Sequence, residues 1–269
     1  MLFRRFVSSQ FVPRHEPTKQ SDVELLANFL KAVEKPNSPG GLLVLTGAGL
    51  STESGIPDYR SEDVGLYATS NRRPVQHKVF MDSEPARRSY WARNFLGWPR
   101  WSNFQPNAAH FVLGCWERRG LVNCVITQNV DQLHYKAGSA NVLELHGTNS
   151  IVQCMSCSYT ISRLTFQKIL EQHNPNMSVV SENMTVRPDG DMDIPQEVVD
   201  NFHIPFCPKC GEGSILKPNV VFFGDNVPQN RVQKVRKQVE NCHSLLVLGS
   251  SLFVFSGESI KNPSFVRHH

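Results

Sequence analysis

Leu42-Leu43-Val44-Leu45-Thr46-Gly47-Ala48-Gly49-Leu50-Ser51 is the stretch on which the architecture turns. Its first four residues are apolar without alternation, which suits a short strand covered on both faces, as in a parallel sheet. The run then breaks into glycines and hydroxyl residues, so a tight turn follows the strand. Similar apolar runs recur at residues 121–127, 142–145, 220–223 and 245–248, and helical periodicity marks residues 23–33, 108–119 and 227–239. Strands alternating with helices predict an α/β chain: a Rossmann-like, doubly wound parallel sheet whose ligands bind beyond the carboxyl ends of the strands.

The polar motifs of the chain fall at those ends. Gly47 to Ser51 follows the first strand, Gln128-Asn129-Val130-Asp131 the second, His146-Gly147 the third, and Gly249-Ser250-Ser251 the last. A lone Gly-x-Gly is weak evidence, and this one lacks the third glycine of the usual dinucleotide fingerprint. Four polar motifs at four strand ends instead point to one composite site. Gly47 and Gly49 are expected to bring backbone amides to a pyrophosphate, with Ser51 adding a hydroxyl donor. Asn129 and Asp131 offer an amide and a carboxylate for ribose hydroxyls or a carboxamide. His146 titrates near neutrality and is the candidate base.

Seven cysteines are present, four of them in two pairs, Cys154-x-x-Cys157 and Cys207-x-x-Cys210. Two such pairs supply the four thiolates of a closed, structural Zn2+ site, with disulfides as the alternative. The 49 residues between Cys157 and Cys207 require a loop-out, and residues 174–205 have the turn chemistry for it. A small zinc-ribbon module at about residues 150–216 is therefore expected as an insertion. Cys115, Cys124 and Cys242 read as buried free thiols.

With 269 residues and 40% apolar content, one large domain carrying that insertion is the simplest organisation. No apolar run reaches the ~20 residues of a membrane span. The net charge is only +4, half of it in residues 1–16, which gives no warrant for nucleic-acid binding. Residues 1–16 pair Arg4, Arg5 and Arg14 with Leu2, Phe3, Phe6, Val7 and Phe11. This is the profile of a mitochondrial transit peptide, or else of a basic tail, and residues 17–269 would form the domain proper.

Taken together, Gly47-Ala48-Gly49-Leu50-Ser51, Gly55-Ile56-Pro57-Asp58-Tyr59-Arg60, Thr127-Gln128-Asn129-Val130-Asp131, His146-Gly147, the cysteine pairs and Gly249-Ser250-Ser251 resemble a sirtuin. The likeness covers about residues 40–255, and Tyr90-Trp91-Ala92-Arg93-Asn94-Phe95 and the long gap between cysteine pairs resemble the mitochondrial class II members. The resemblance implies an NAD-dependent protein-lysine deacylase, lipoamidase or ADP-ribosyltransferase of the mitochondrial matrix. Such an enzyme acts on acyl-lysine proteins and releases nicotinamide and O-acyl-ADP-ribose. It also implies roles: His146 as base with Asn129 and Asp131; Gly47, Ala48, Gly49, Ser51, Ile56, Pro57, Asp58, Tyr59, Arg60 and Tyr67 in the NAD loop. Gln128, Val130, Gly249, Ser250 and Ser251 complete the cofactor site, and one structural zinc is implied. Peptide substrates would lie as an added strand against residues 220–224, and Tyr90 with Arg93 would meet the acyl group. Tyr90, Trp91 and Phe95 alternatively pack the two modules together. After about residue 257 the sequence departs from the family pattern, leaving an incomplete carboxyl-terminal end; the alternative is a zinc-stabilised binding module without turnover.

Overall fold

The computed structural model describes residues 10–34, 41–71, 73–177, 187–188, 190–191 and 194–252. The strands in chain order are β1 (Leu42–Thr46), β2 (Val122–Thr127), β3 (Val142–Glu144), β4 (Gly147–Cys154), β5 (Thr160–Ser162), β6 (Leu216–Val220) and β7 (Ser244–Leu248). The α-helices are α1 (Gln20–Val33), α2 (Leu66–Thr69), α3 (His77–Asp82), α4 (Glu84–Asn103), α5 (Ala108–Arg118), α6 (Leu133–Lys136), α7 (Arg163–His173), α8 (Gln196–Asp200) and α9 (Gln229–Glu240).

Four strands form a parallel sheet in the order β3-β2-β1-β7. The lack of alternation in β1 now has its cause. Leu42 and Val44 face one side, packing with Val33, Leu113, Val122 and Val125 beneath α1 and α5. Leu43 and Leu45 face the other, with Cys124, Ile126, Val235 and Val239 beneath α9. Helices on both faces make the sheet doubly wound, as expected.

The run at 220–223 is not a parallel strand. The chain forms β6 earlier, antiparallel to β4, in a three-stranded sheet of order β5-β4-β6. Beyond Val220, the Val221 amide donates to the His146 carbonyl (2.8 Å) and Phe223 bridges to Gln76 just before α3, so these residues do not extend the larger sheet. The small sheet packs with α4, α7 and α8 around Trp91, Phe166, Leu170 and Phe202. Arg163, almost wholly buried, ties α7 to α4: its guanidinium lies between Trp91 and Trp98 and donates to the Asn94 carbonyl (3.1 Å).

Among the described residues β7 is an edge strand, with Leu245 38% exposed. The tail expected to diverge after about residue 257 and the amino-terminal residues 1–9 lie outside the described residues, which end at 252.

Candidate active site and metal centre

Because β1, β2, β3 and β7 run parallel, their carboxyl ends open on the same side, and the four polar motifs meet there around a cavity of about 710 Å³. Ala48, Gly49 and Ser51 line it from a short 3-10 turn after β1, and Gln128 to Asp131 from the end of β2. His146 follows β3, and Gly249 to Ser251 follow β7. The remaining wall comes from Ile56, Asp58, Tyr59 and Arg60, from Tyr90 on α4, and from residues 220–224.

The glycines bring two turns together. The Gly47 amide donates to the Leu248 carbonyl (3.0 Å) and the Gly49 amide to the Gly249 carbonyl (2.9 Å), so neither is left for a phosphate. A Cβ on Gly47 would lie 2.7 Å from the Gly249 oxygen, and one on Gly49 would lie 3.0 Å from the Gly249 Cα. Their smallness lets the β1 and β7 turns press together. Gly47 itself stands outside the cavity lining.

The side chains after β1 and β2 are already joined. Asn129 Nδ2 donates to the Gly47 carbonyl (3.0 Å) and to Ser51 Oγ (3.1 Å). Ser51 Oγ in turn donates to Asp131 Oδ2 (2.7 Å), and Asp131 Oδ1 accepts from the Leu133 amide (2.9 Å). Ser250 Oγ donates to Gln128 Oε1 (2.8 Å), and Arg60 Nη1 reaches Ser251 Oγ (3.3 Å). The Asp58 carboxylate is spent on its own turn, accepting the Arg60 and Ser61 amides at 3.0 and 2.8 Å.

His146 is different. Its Nδ1 lies 2.9 Å from the Gln128 carbonyl, an acceptor only, so Nδ1 carries the proton and Nε2 the lone pair. Nε2 is buried and has no hydrogen-bond partner. Burial chiefly, and the nearby Arg231 cation, hold the imidazole below its ordinary range against the opposing pull of the Gln128 carbonyl. A neutral ring with a fixed tautomer and an unused lone pair in a cavity is a base prepared for a proton.

Of the other expected residues, Tyr90 lines the cavity while its ring packs edge-on against Phe80 and Trp91, so it both walls the site and joins the modules. Arg93 is not among the lining residues, and its Nε is buried without a partner. Pro57 is buried behind the loop, and Tyr67 packs on Tyr59 (5.9 Å between ring centres) without reaching the cavity. Pro13, Asn149 and Pro188 line the cavity unforeseen. They come from an extended leader, a strand and the loop between cysteine pairs, and no periodicity marks them.

The four paired cysteines converge with all sulfurs within 4.8 Å of one another. No sulfur is bonded to another, which removes the disulfide reading. Cys154 and Cys210 are 3.8 Å apart, as are Cys157 and Cys207. A tetrahedral ion at Zn–S of ~2.3 Å sets its sulfurs ~3.8 Å apart, so the donor set fits one zinc ion. The Ser156 and Tyr159 amides donate to the Cys154 and Cys157 sulfurs, the outer hydrogen bonds a thiolate site uses. None of the four lines the cavity, and four thiolates leave no open position, so the centre is structural. Cys115, Cys124 and Cys242 are free; Cys124 is fully buried, which drives its thiol to about 12, while the other two are half-buried.

Residues 47–256 match the model of the Sir2 family. The chain is 54% identical over 248 residues to the NAD-dependent protein deacylase Sirt4 of Drosophila melanogaster, covering 92% of this chain and 76% of that protein. It is 48% identical over 247 residues to the human NAD-dependent protein lipoamidase sirtuin-4, mitochondrial, with the same two coverages. Among solved structures, a Sir2 homologue in complex with NAD superposes with a TM-score of 0.60 at 30% identity, covering 91% of this chain and 78% of that one.

Proposed function

The chain belongs to the Sir2 family, and from that premise we propose that it is an NAD-dependent protein deacylase of mitochondria, working in the matrix on acyl-lysine side chains. The single observation that carries this reading is His146: a buried imidazole with Nδ1 held by the Gln128 carbonyl and Nε2 unpartnered at a cavity built from four strand ends.

The residues present suit NAD. Ala48 and Arg60 would face its phosphates, Gln128 and Ser250 its ribose hydroxyls, and Asn129 and Asp131 the nicotinamide end. Bound NAD supplies a ribosyl carbon with nicotinamide as leaving group. Asn129, Ser51 and Asp131 are hydrogen-bonded to one another before any ligand arrives, so their alignment costs little at the moment of binding. His146 Nε2 takes a proton from a hydroxyl brought against it, and the Gln128 carbonyl stabilises the charge that develops on the ring through Nδ1–H. Residues 220–224 wall the same cavity and offer main-chain groups to an extended peptide, which favours acyl-lysine within a protein over a free small molecule. Tyr90 is the acyl-pocket residue best supported, since it lines the cavity and Arg93 does not. A zinc ion held by Cys154, Cys157, Cys207 and Cys210 would brace the small sheet away from the cavity.

Replacing His146 with Ala should lower nicotinamide release on a panel of acyl-lysine peptides by about 10²–10⁴-fold; unchanged release would refute the assignment. The base works neutral and its imidazole is depressed, so the rate should hold as pH falls through 6.5 and decline only below it.

A further inference from the structure

We propose that His134, acting through Thr46 and Thr127, is a positioning residue that fixes Asn129 in the site. The inference rests on the functional reading only for what Asn129 does there; the relay itself rests on geometry.

Thr46 and Thr127 are the last residues of β1 and β2 and stand opposite each other in register. Both are almost fully buried, 0% and 3% exposed, where an apolar pair would cost nothing to desolvate. Thr46 Oγ1 donates to Thr127 Oγ1 (2.9 Å). A hydroxyl has one proton, so the second contact of Thr46 Oγ1, with His134 Nε2 at 2.9 Å, has the imidazole as donor. Thr127 Oγ1 also accepts the Asn129 amide (3.1 Å). Polarity therefore runs one way, from His134 to Thr46 to Thr127, and Thr127 presents its oxygen to Asn129. Without the imidazole proton, Thr127 is free to donate back to Thr46 and turn away from the Asn129 amide. The Asn129 side chain, bonded to Gly47 and Ser51, would lose its backbone anchor. His134 itself is 1% exposed, does not line the cavity and makes no other side-chain hydrogen bond, its Nδ1 being unpartnered. Its side-chain hydrogen bonding reaches the site through the two threonines.

The test is amide hydrogen exchange by NMR on the zinc-loaded full chain and on the variants Thr46→Val, His134→Leu and His134→Gln. Thr46→Val keeps the volume, so it reports on the relay if His134→Leu disturbs packing. In both Thr46→Val and His134→Leu the Asn129 amide should exchange about tenfold faster, the loss of about one net hydrogen bond. Val125 and Ile126 in the same strand should keep their rates, and His134→Gln, which retains a donor, should restore Asn129 to within about threefold. An unchanged Asn129 amide, or acceleration spread evenly along β2, would overturn the proposal. In parallel, kcat for nicotinamide release should fall in the first two variants with KM for the acyl peptide unmoved. A parent chain that releases no nicotinamide would sink the functional reading alone, since exchange still decides the relay.

Discussion

Acid should unfold this protein through two buried histidines that do not line the cavity. His110 on α5 and His134 on α6 lie with ring centres 4.9 Å apart and are 0% and 1% exposed. Asn107 Oδ1 lies 2.8 Å from His110 Nδ1 and Thr46 holds His134 Nε2, but His110 Nε2 and His134 Nδ1 have no partner. Burial drives His110 down to about 4 and His134 likewise to about 4, the latter also through His110 and against weaker opposing pulls from Asp131 and Glu117. The folded values are depressed, so the native state refuses protons that the unfolded chain takes up below 6.5. Stability is whole above that value and is lost as pH falls toward 4. At about pH 5 each ring should cost about 2 kcal/mol relative to about pH 8, so about 4 kcal/mol for the pair. Urea midpoints at the two pH values measure this, for the chain and for the double variant His110→Gln/His134→Gln, in which nothing titrates at these positions. Zinc release in acid is common to both proteins and cancels in the difference. If the double variant lost as much stability on acidification as the parent, the burial argument would be refuted.

Other expectations concern the metal, the turns and the leader. Cys207→Ser should lose zinc by elemental analysis and expose the amides of β4 to fast exchange, because the fourth thiolate closes the small sheet. Gly249→Ala, at φ +62° with its Cβ placed 2.1 Å from the Leu50 amide nitrogen, should cost well over the ~1 kcal/mol of a left-handed backbone and weaken NAD binding by calorimetry. Gly120→Ala, at φ +75° with nothing within 4 Å, should cost only that ~1 kcal/mol by urea titration and leave NAD binding alone. Phe11 is buried and Pro13 lines the cavity, so a chain beginning at residue 17 should be less stable by about 1–2 kcal/mol than one beginning at residue 10. Equal thermal midpoints for the two would show that Phe11 is not seated on the folded body.

What the sequence by itself determined was whatever is local. The unalternating run 42–45 meant a strand covered on both sides, and it has apolar clusters on both its faces. Cysteines in x-x pairs meant a tetrathiolate, since two residues of spacing wrap one edge of an ion, and their sulfurs converge across the 49-residue gap. Polar motifs at successive strand ends meant one site, because parallel strands bring those ends to one side. Only the tertiary structure decided which hydrogen bonds were already taken. Gly47 and Gly49 read as room for backbone amides to approach a pyrophosphate, yet the end of β7 claims their own two amides, a fact that depends on a strand some 200 residues away. The run 220–223 looked like another parallel strand, but β4 captures the preceding residues antiparallel, and composition does not encode that choice of partner. His110, His134 and Thr46 carry no motif, since a buried polar residue and a surface one are written with the same letters. Their burial, and the chain of hydrogen bonds from His134 through Thr46 and Thr127 to Asn129, exist only once β1, β2, α5 and α6 are packed.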